Sequence, residues 1–248
     1  MSSEGAGLPY QVGQPGAGAA ISARGWVLLL LSVAVGFAVV SLAPPRVFAG
    51  ILSVVPALLF TTIPLVTLHV VSGSDAGRMF RGYRARAFGL SVLFGIATLT
   101  ASLAMALVVR PFAPLEPNRV GDVLANADAF AVGIFLVRTF IQLVGEEAVT
   151  VLPLLAVTWF CTAKMGIGRR GGLALGVAVS TLLFAAMHLP TYDWNVVQCF
   201  AVIGTARLVL TAAYLRTGNL WVSSGAHILN DWSIFAVGYA GSHLPIGT

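Results

Sequence analysis

Residues 129–162 form an apolar run of 34 residues whose only charges are Arg138 and the adjacent pair Glu146 and Glu147. A strand in a soluble domain takes about five or six residues and a helix about eleven, so neither accounts for this length. A helix crosses the hydrocarbon core of a bilayer with about 20 residues, and this run exceeds that. Backbone inside lipid has no water to bond, so a run of this kind has to be helical. The two carboxylates sharpen the constraint. A charge at bilayer depth costs about 3 kcal/mol even on insertion scales, and such residues mark functional sites inside a bundle.

The same pattern extends along the chain. Further apolar runs occupy 26–43, 47–71, 87–109, 171–188, 195–215 and 219–241. Hydrophobic residues make up 58% of the chain and charged ones 9%, with a mean hydropathy of +0.91. A soluble domain carries about 25% charged residues, so the composition excludes that class. The fold class that follows is all-α, a polytopic transmembrane bundle of about seven membrane helices. It forms a single domain over 26–248 behind a Gly-, Ala-, Ser- and Pro-rich tail, 1–25, expected to be disordered. The first run resembles a signal peptide, with small residues Ser41 and Ala43. Its length and the following Pro44 favour a retained helix. The short chain and the lack of a targeting signal point to a bacterial cell membrane. Pro56 and Pro64 predict kinks in the second run, Pro153 a bend in the long one, and the last run is expected to be broken. The stretch 110–128 is a mixed-charge loop with room for a short surface helix. Gly172 and Gly176 form a GxxxG pair suited to close helix packing.

The net charge of +5 does not indicate a nucleic-acid partner, because the Arg residues fall in short loops between apolar runs. With the N-terminus inside, inside loops collect Arg24, Arg78, Arg81, Arg84, Arg86, Lys164, Arg169, Arg170 and Arg216. Outside loops hold Arg46, Arg110 and Arg119. This asymmetry predicts a cytoplasmic N-terminus, with the bilayer as partner. Cys161 and Cys199 lie in apolar surroundings and read as inert thiols. The chain shows no internal repeat, which counts against an inverted-repeat transporter.

Three segments carry polar chemistry. Arg138, Gln142, Glu146 and Thr150 recur every four residues, one drifting polar stripe on a helix, with Glu147 turned about 100° from Glu146. Phe184 and His188 share a face and end the fifth run before Pro190. His227 and Asp231 share a face of the last run, with Asn230 beside them. One glutamate and two histidines on three helices support three readings. They can activate water for hydrolysis, hold a metal with one open position, or relay ions through a transporter.

These segments also carry a family resemblance. Glu146–Glu147, Phe184 to His188 and Asp231 four residues after His227 resemble, in order, the paired glutamates, the FxxxH motif and the HxxxN/D motif of the CPBP family. That family comprises CAAX-type proteases and bacteriocin-processing or immunity proteins and is also called the Abi family. Thr217-Gly218-Asn219-Leu220-Trp221 and Ser224-Gly225-Ala226-His227 look like its usual lead-in, and the resemblance covers about 129–240. It implies an intramembrane endopeptidase acting on a membrane-associated, CAAX-like protein or peptide. The founding eukaryotic members remove the last three residues of prenylated CAAX proteins. Glu146 would then activate water with help from His188, while His227 and Asp231 stabilise the oxyanion. An ionised Asp231 cannot donate, so it must be protonated or orient His227 while Asn230 donates. No cofactor is expected; the alternative is one zinc at Glu146, His188 and His227. The alternative function is a non-catalytic or ion-transporting protein of the same fold.

The chain departs from the family pattern EExxxR at Val151. The cation that would neutralise Glu147 is missing from that helix. Arg207, an otherwise unexplained charge in an apolar run, is expected to replace it, with Arg138 acting at most through Gln142.

Overall fold

The computed structural model describes residues 21–243 apart from 119 and 126. Its α-helices are α1 (Ala23–Leu42), α2 (Val54–Ser72), α3 (Ala85–Val109), α4 (Val120–Ala125), α5 (Ala129–Ala163), α6 (Arg169–Met187), α7 (Gly204–Thr217) and α8 (Leu220–His243). The polytopic helix bundle is therefore present. Helix α1 starts at Ala23, inside the stretch read as tail, because Ser22 caps it by accepting from the Gly25 amide. The remainder of that tail, 1–20, lies outside the described residues. The short helix in the loop is α4.

The break expected in the last run is absent, and the bend expected at Pro153 does not interrupt α5. Helix α5 continues through Pro153, and α8 runs unbroken from Leu220. Pro153 is buried, with Leu152 and Leu154 fully buried on either side, so surrounding helices hold the backbone where proline removes one bond. The irregularity lies instead before α7, where Gln198–Ile203 forms a π-helical stretch. Pro56 falls in the first turn of α2, where a missing N–H costs nothing, and Pro64 lies inside that helix.

Among the described residues six membrane-crossing candidates meet both length and apolarity; α8 is not among them. At 24 residues α8 is about 36 Å long, enough to cross. Its polar residues lower its hydropathy, and they are buried in protein: Ser223, Ser224, His227 and Asn230 all have low exposure. Burial also identifies the centre of the bundle. In α5, 78% of the most apolar window is buried, against 17% in α3, so α5 is wrapped by protein and α3 faces lipid.

Pairwise contacts give the relative directions of α3, α5, α6 and α8. Gly172 packs on Thr158 and Thr162, and Gly176 on Leu154, so α5 and α6 are antiparallel. A Cβ on Gly176 would stand 2.6 Å from the Leu154 carbonyl oxygen, which is the close approach expected of the GxxxG pair. Trp232 Nε1 donates to Thr139 Oγ1 at 3.1 Å, and Phe135 meets Phe235 edge-on at 5.3 Å, so α8 runs antiparallel to α5. Ser91 Oγ donates to the Val222 carbonyl at 3.0 Å, and Gly95 faces Ala226 and Leu229, so α3 and α8 are parallel. Thr61 Oγ1 donates to the Ile141 carbonyl at 2.8 Å and fixes α2 on the other side of α5. These directions fit one crossing each by α1, α2, α3, α5, α6, α7 and α8. The result is an integral membrane protein with Glu146 halfway along its central helix.

Candidate active site

Three helices deliver the sequence-selected residues to one place. Glu146 Oε2, on α5, lies 4.0 Å from His188 Nε2 at the end of α6 and 3.9 Å from His227 Nε2 on α8. Its other oxygen accepts from Gln142 Nε2 at 3.0 Å, one turn earlier on the same stripe. Thr150 caps the stripe differently, donating to the Glu146 backbone carbonyl at 2.7 Å.

Hydrogen bonding fixes which ring atoms face the carboxylate. His188 Nδ1 lies 2.8 Å from the Phe184 carbonyl, an acceptor, so Nδ1 carries the proton there. His227 Nδ1 lies 2.9 Å from Glu147 Oε1, another acceptor, with the same result. Both histidines therefore present Nε2 to Glu146. Phe184 packs against both rings, with centroids 4.5 Å from His188 and 6.0 Å from His227. The FxxxH spacing thus supplies both a carbonyl for His188 and a wall for the pocket.

Glu147 turns away from this centre and is fully buried. Arg207, also fully buried, donates through Nη1 to Oε1 at 2.5 Å and through Nη2 to Oε2 at 2.9 Å. Its Nε donates to Thr211 Oγ1 at 3.2 Å, and its guanidinium stacks on Phe184 at 5.1 Å. The cation expected from Arg207 is therefore in place as a bidentate fork. Val151 in the family's arginine position is a fully buried apolar residue. Arg138 stands over the Phe135 ring at 5.3 Å with its Nε without a hydrogen-bond partner, while Gln142 donates to Glu146.

Asp231 Oδ1 lies 3.7 Å from His227 Nε2 and accepts from Asn230 Nδ2 at 2.9 Å. Side-chain exposure rises from 5% at His227 and 11% at Glu146 to 22% at His188 and 25% at Asp231, so the cluster opens on the His188–Asp231 side. The loop after α6 borders this opening. Tyr192, half-buried there, bonds through its side chain to Asn118, and its phenol is pushed up to about 12 by burial and by the negative charge of Asp231. Sequence reading missed Tyr192, which no periodicity marks. It also missed Thr211, for which the four-residue spacing from Arg207 was an available signal.

Ligand atoms of a tetrahedral zinc, with bonds of about 2.0–2.1 Å, lie about 3.3 Å from one another. The pairs at 3.9 and 4.0 Å are wider than that, and no described group of three His, Cys, Asp or Glu is placed to hold a metal ion. A water oxygen about 2.8 Å from both atoms of either pair subtends an angle of about 90°. The arrangement is thus one carboxylate oxygen with two imidazole nitrogens about it, in a site walled by Phe184 and open on one side.

The family model described as "Type II CAAX prenyl endopeptidase Rce1-like" matches residues 127–233. No curated protein and no solved structure matches the chain. The matched span holds Glu146, Glu147, His188, Arg207, His227 and Asp231, and over it the chain is similar to the Rce1-like type II CAAX prenyl endopeptidases.

Proposed function

We propose that the protein is an intramembrane endopeptidase in which Glu146 activates water without a metal. The observation that carries this reading is the convergence of His188 Nε2 and His227 Nε2 on one oxygen of Glu146 at 4.0 and 3.9 Å. Glu146 Oε2 takes a proton from a water held beside it, and His188 Nε2 accepts the water's second hydrogen and orients it. The water oxygen attacks the scissile carbonyl carbon. The oxyanion that forms is met by the Nε2–H of a doubly protonated His227, whose other N–H is already committed to Glu147. Collapse of the tetrahedral intermediate breaks the C–N bond. The proton held by Glu146 passes to the leaving nitrogen, and the products are a carboxylate and an amine.

Glu147 and Arg207 act as positioning residues in this scheme, holding the His227 ring. Asp231 serves as the ionised partner that orients His227 Nε2, since the Asn230 amide is spent on Asp231. The substrate is a membrane-associated, CAAX-like protein or peptide, and the protein sits in a bacterial cell membrane with its N-terminus inside.

The test is cleavage of peptide pools, with and without an S-farnesyl cysteine, by protein reconstituted in liposomes. Glu146→Gln should lower the rate by about 10²- to 10⁴-fold, the usual worth of a general base. Wild-type protein that leaves both pools intact, or a Glu146→Gln variant as fast as wild type, refutes the reading.

A further inference from the structure

Glu146 and His227 are too enclosed to meet a peptide as they stand. Their side chains are 11% and 5% exposed, and exposure rises only toward His188 and Asp231. A reacting group has to come within about 3 Å of a general base. Some element on the His188–Asp231 side must therefore give way. Of the segments there, α6 and α8 are helices packed into the bundle. The stretch 114–118, between α3 and α4, has no regular secondary structure.

That stretch is tied to the segment following His188. The buried Gln198 side chain takes up both backbone groups of Glu116. Its Oε1 accepts from the amide at 2.7 Å, and its Nε2 donates to the carbonyl at 2.9 Å. Asn195 Nδ2 donates to the Pro114 carbonyl at 2.7 Å, while Asn195 Oδ1 accepts from the Gln198 amide at 3.0 Å. Tyr192, at the mouth, bonds to Asn118. Just beyond, α4 packs against α8, the helix of His227 and Asp231. The chain thus passes from the π-helical stretch, past the end of α6, to α8, across the open side of the site. Pro114 and Pro117 fix φ at two of its positions and stiffen it. Asp193 and Trp194, between Tyr192 and Asn195, are both left-handed, at φ 50° and 61°. Strain of this kind persists only where surrounding contacts hold it, and it collects at clamps and switches.

We propose that residues 114–118 form a strap latched across the mouth of the site, and that a substrate reaches Glu146 only when the strap leaves Gln198 and Asn195. For its substrate this rests on the peptidase reading; for the strap it rests on the latch bonds. Each latch joins a neutral side-chain amide to backbone, and water replaces such a bond at small net cost once the strap lifts. Opening this way leaves the catalytic geometry intact. Glu146, His188 and His227 belong to α5, α6 and α8, and Arg207 holds Glu147 from α7, so none of them moves with the strap.

The test uses the full chain in maltoside detergent with Cys161 and Cys199 changed to Ala. In that protein Asp231→Cys reports access to the mouth through its rate of reaction with a small charged methanethiosulfonate. Gln198→Leu, which removes both Glu116 bonds, should speed the reaction about 10- to 100-fold, the worth of two neutral hydrogen bonds. Asn195→Ala, which releases Pro114, makes the same test where Gln198→Leu fails to fold. In a second protein, with Asp231 intact, Asn118→Cys and Tyr192→Cys are bridged by a short bis-methanethiosulfonate. The bridge should slow peptide cleavage by about 10-fold or more, and dithiothreitol should restore it. The monofunctional reagent on the same two cysteines should leave cleavage as it was. Labelling of Asp231→Cys that the latch variants leave unchanged overturns the strap. So does a bridged protein as fast as its reduced form, or an equal loss with the monofunctional reagent. Latch-dependent labelling without any cleavage by wild type upholds the strap and removes the peptidase reading.

Discussion

Arg207→Leu is the perturbation that tests most directly how this bundle tolerates a missing family residue. Arg207 and Glu147 are both fully buried and form a two-pronged ion pair between α7 and α5. Removing one partner of a buried pair costs about 3–5 kcal/mol, because the other charge is left in a medium that cannot solvate it. For a chain of about this size each kcal/mol moves the thermal midpoint by about 2–4 °C, so the variant should melt about 6–20 °C lower. His227 stays bonded to Glu147 Oε1, which places the loss at the low end if that bond shortens in response.

The assay is thermal unfolding in detergent alongside peptide cleavage, for Arg207→Leu alone and combined with Glu147→Gln or Val151→Arg. The Glu147→Gln double variant should recover most of the stability, since no unpaired charge remains. It should stay slow, because the amide no longer anchors His227 as a carboxylate does. Val151 lies one turn after Glu147 on the same face, so Val151→Arg returns a cation to the same carboxylate and should restore part of both. An Arg207→Leu midpoint within about 1 °C of wild type, with unchanged activity, refutes the argument that this charge balances the site.

Three further outcomes follow from the geometry. Activity should survive strong chelators and purified protein should lack stoichiometric zinc; activity lost to a chelator and restored by a divalent metal would replace the water-only scheme with a zinc at Glu146, His188 and His227. Gly176→Ala should lower the thermal midpoint by several degrees, because its Cβ would stand 2.6 Å from the Leu154 carbonyl, whereas Gly133→Ala, with open space around it, should not; equal midpoints would show that the α5–α6 contact is looser than described. With the N-terminus inside, the end of α6 and the mouth of the site face outward, so the exposed Thr191, changed to Cys, should react with an impermeant maleimide in intact cells; labelling only after lysis would reverse the orientation.

The architecture was legible because hydropathy reports directly on the solvent around each helix. The runs read from sequence match the observed helices within a few residues, with the largest differences at the starts of α2 and α7. Proline was a poorer guide. Pro153 signals a bend by local rules, but a fully packed environment lets α5 pass through it. The candidate site was legible for a different reason. Glu146, His188 and His227 are polar residues that the bilayer makes costly, and cost in the wrong solvent is visible one residue at a time. Tyr192 escaped because a tyrosine in a loop near the membrane surface has no such cost. The choice of Arg207 succeeded by elimination among few intramembrane cations. Arg138, expected to act at most through Gln142, is not paired with Glu147, whose two oxygens go to Arg207.

Moving the neutralising arginine from α5 to α7 changes what the site depends on. A cation four residues after Glu147 would belong to the same helix and would hold wherever that helix folds. Arg207 belongs to a different helix, so the charge balance at Glu147 exists only when α7 is docked at the right rotation. Gly204, at the start of α7, follows directly on the π-helical stretch Gln198–Ile203. A π turn accommodates an extra residue within a helix and so resets the rotation of everything after it, by about 100° per residue. That reset is what aims Arg207 at Glu147 and Thr211 at the Arg207 Nε. The carboxylate then fixes His227 Nδ1, and the ring's other nitrogen is left facing Glu146. The irregular backbone before α7 and the atom presented to Glu146 are thus consecutive links of one chain. A bundle that lost the π turn would keep its helices and lose the orientation of His227.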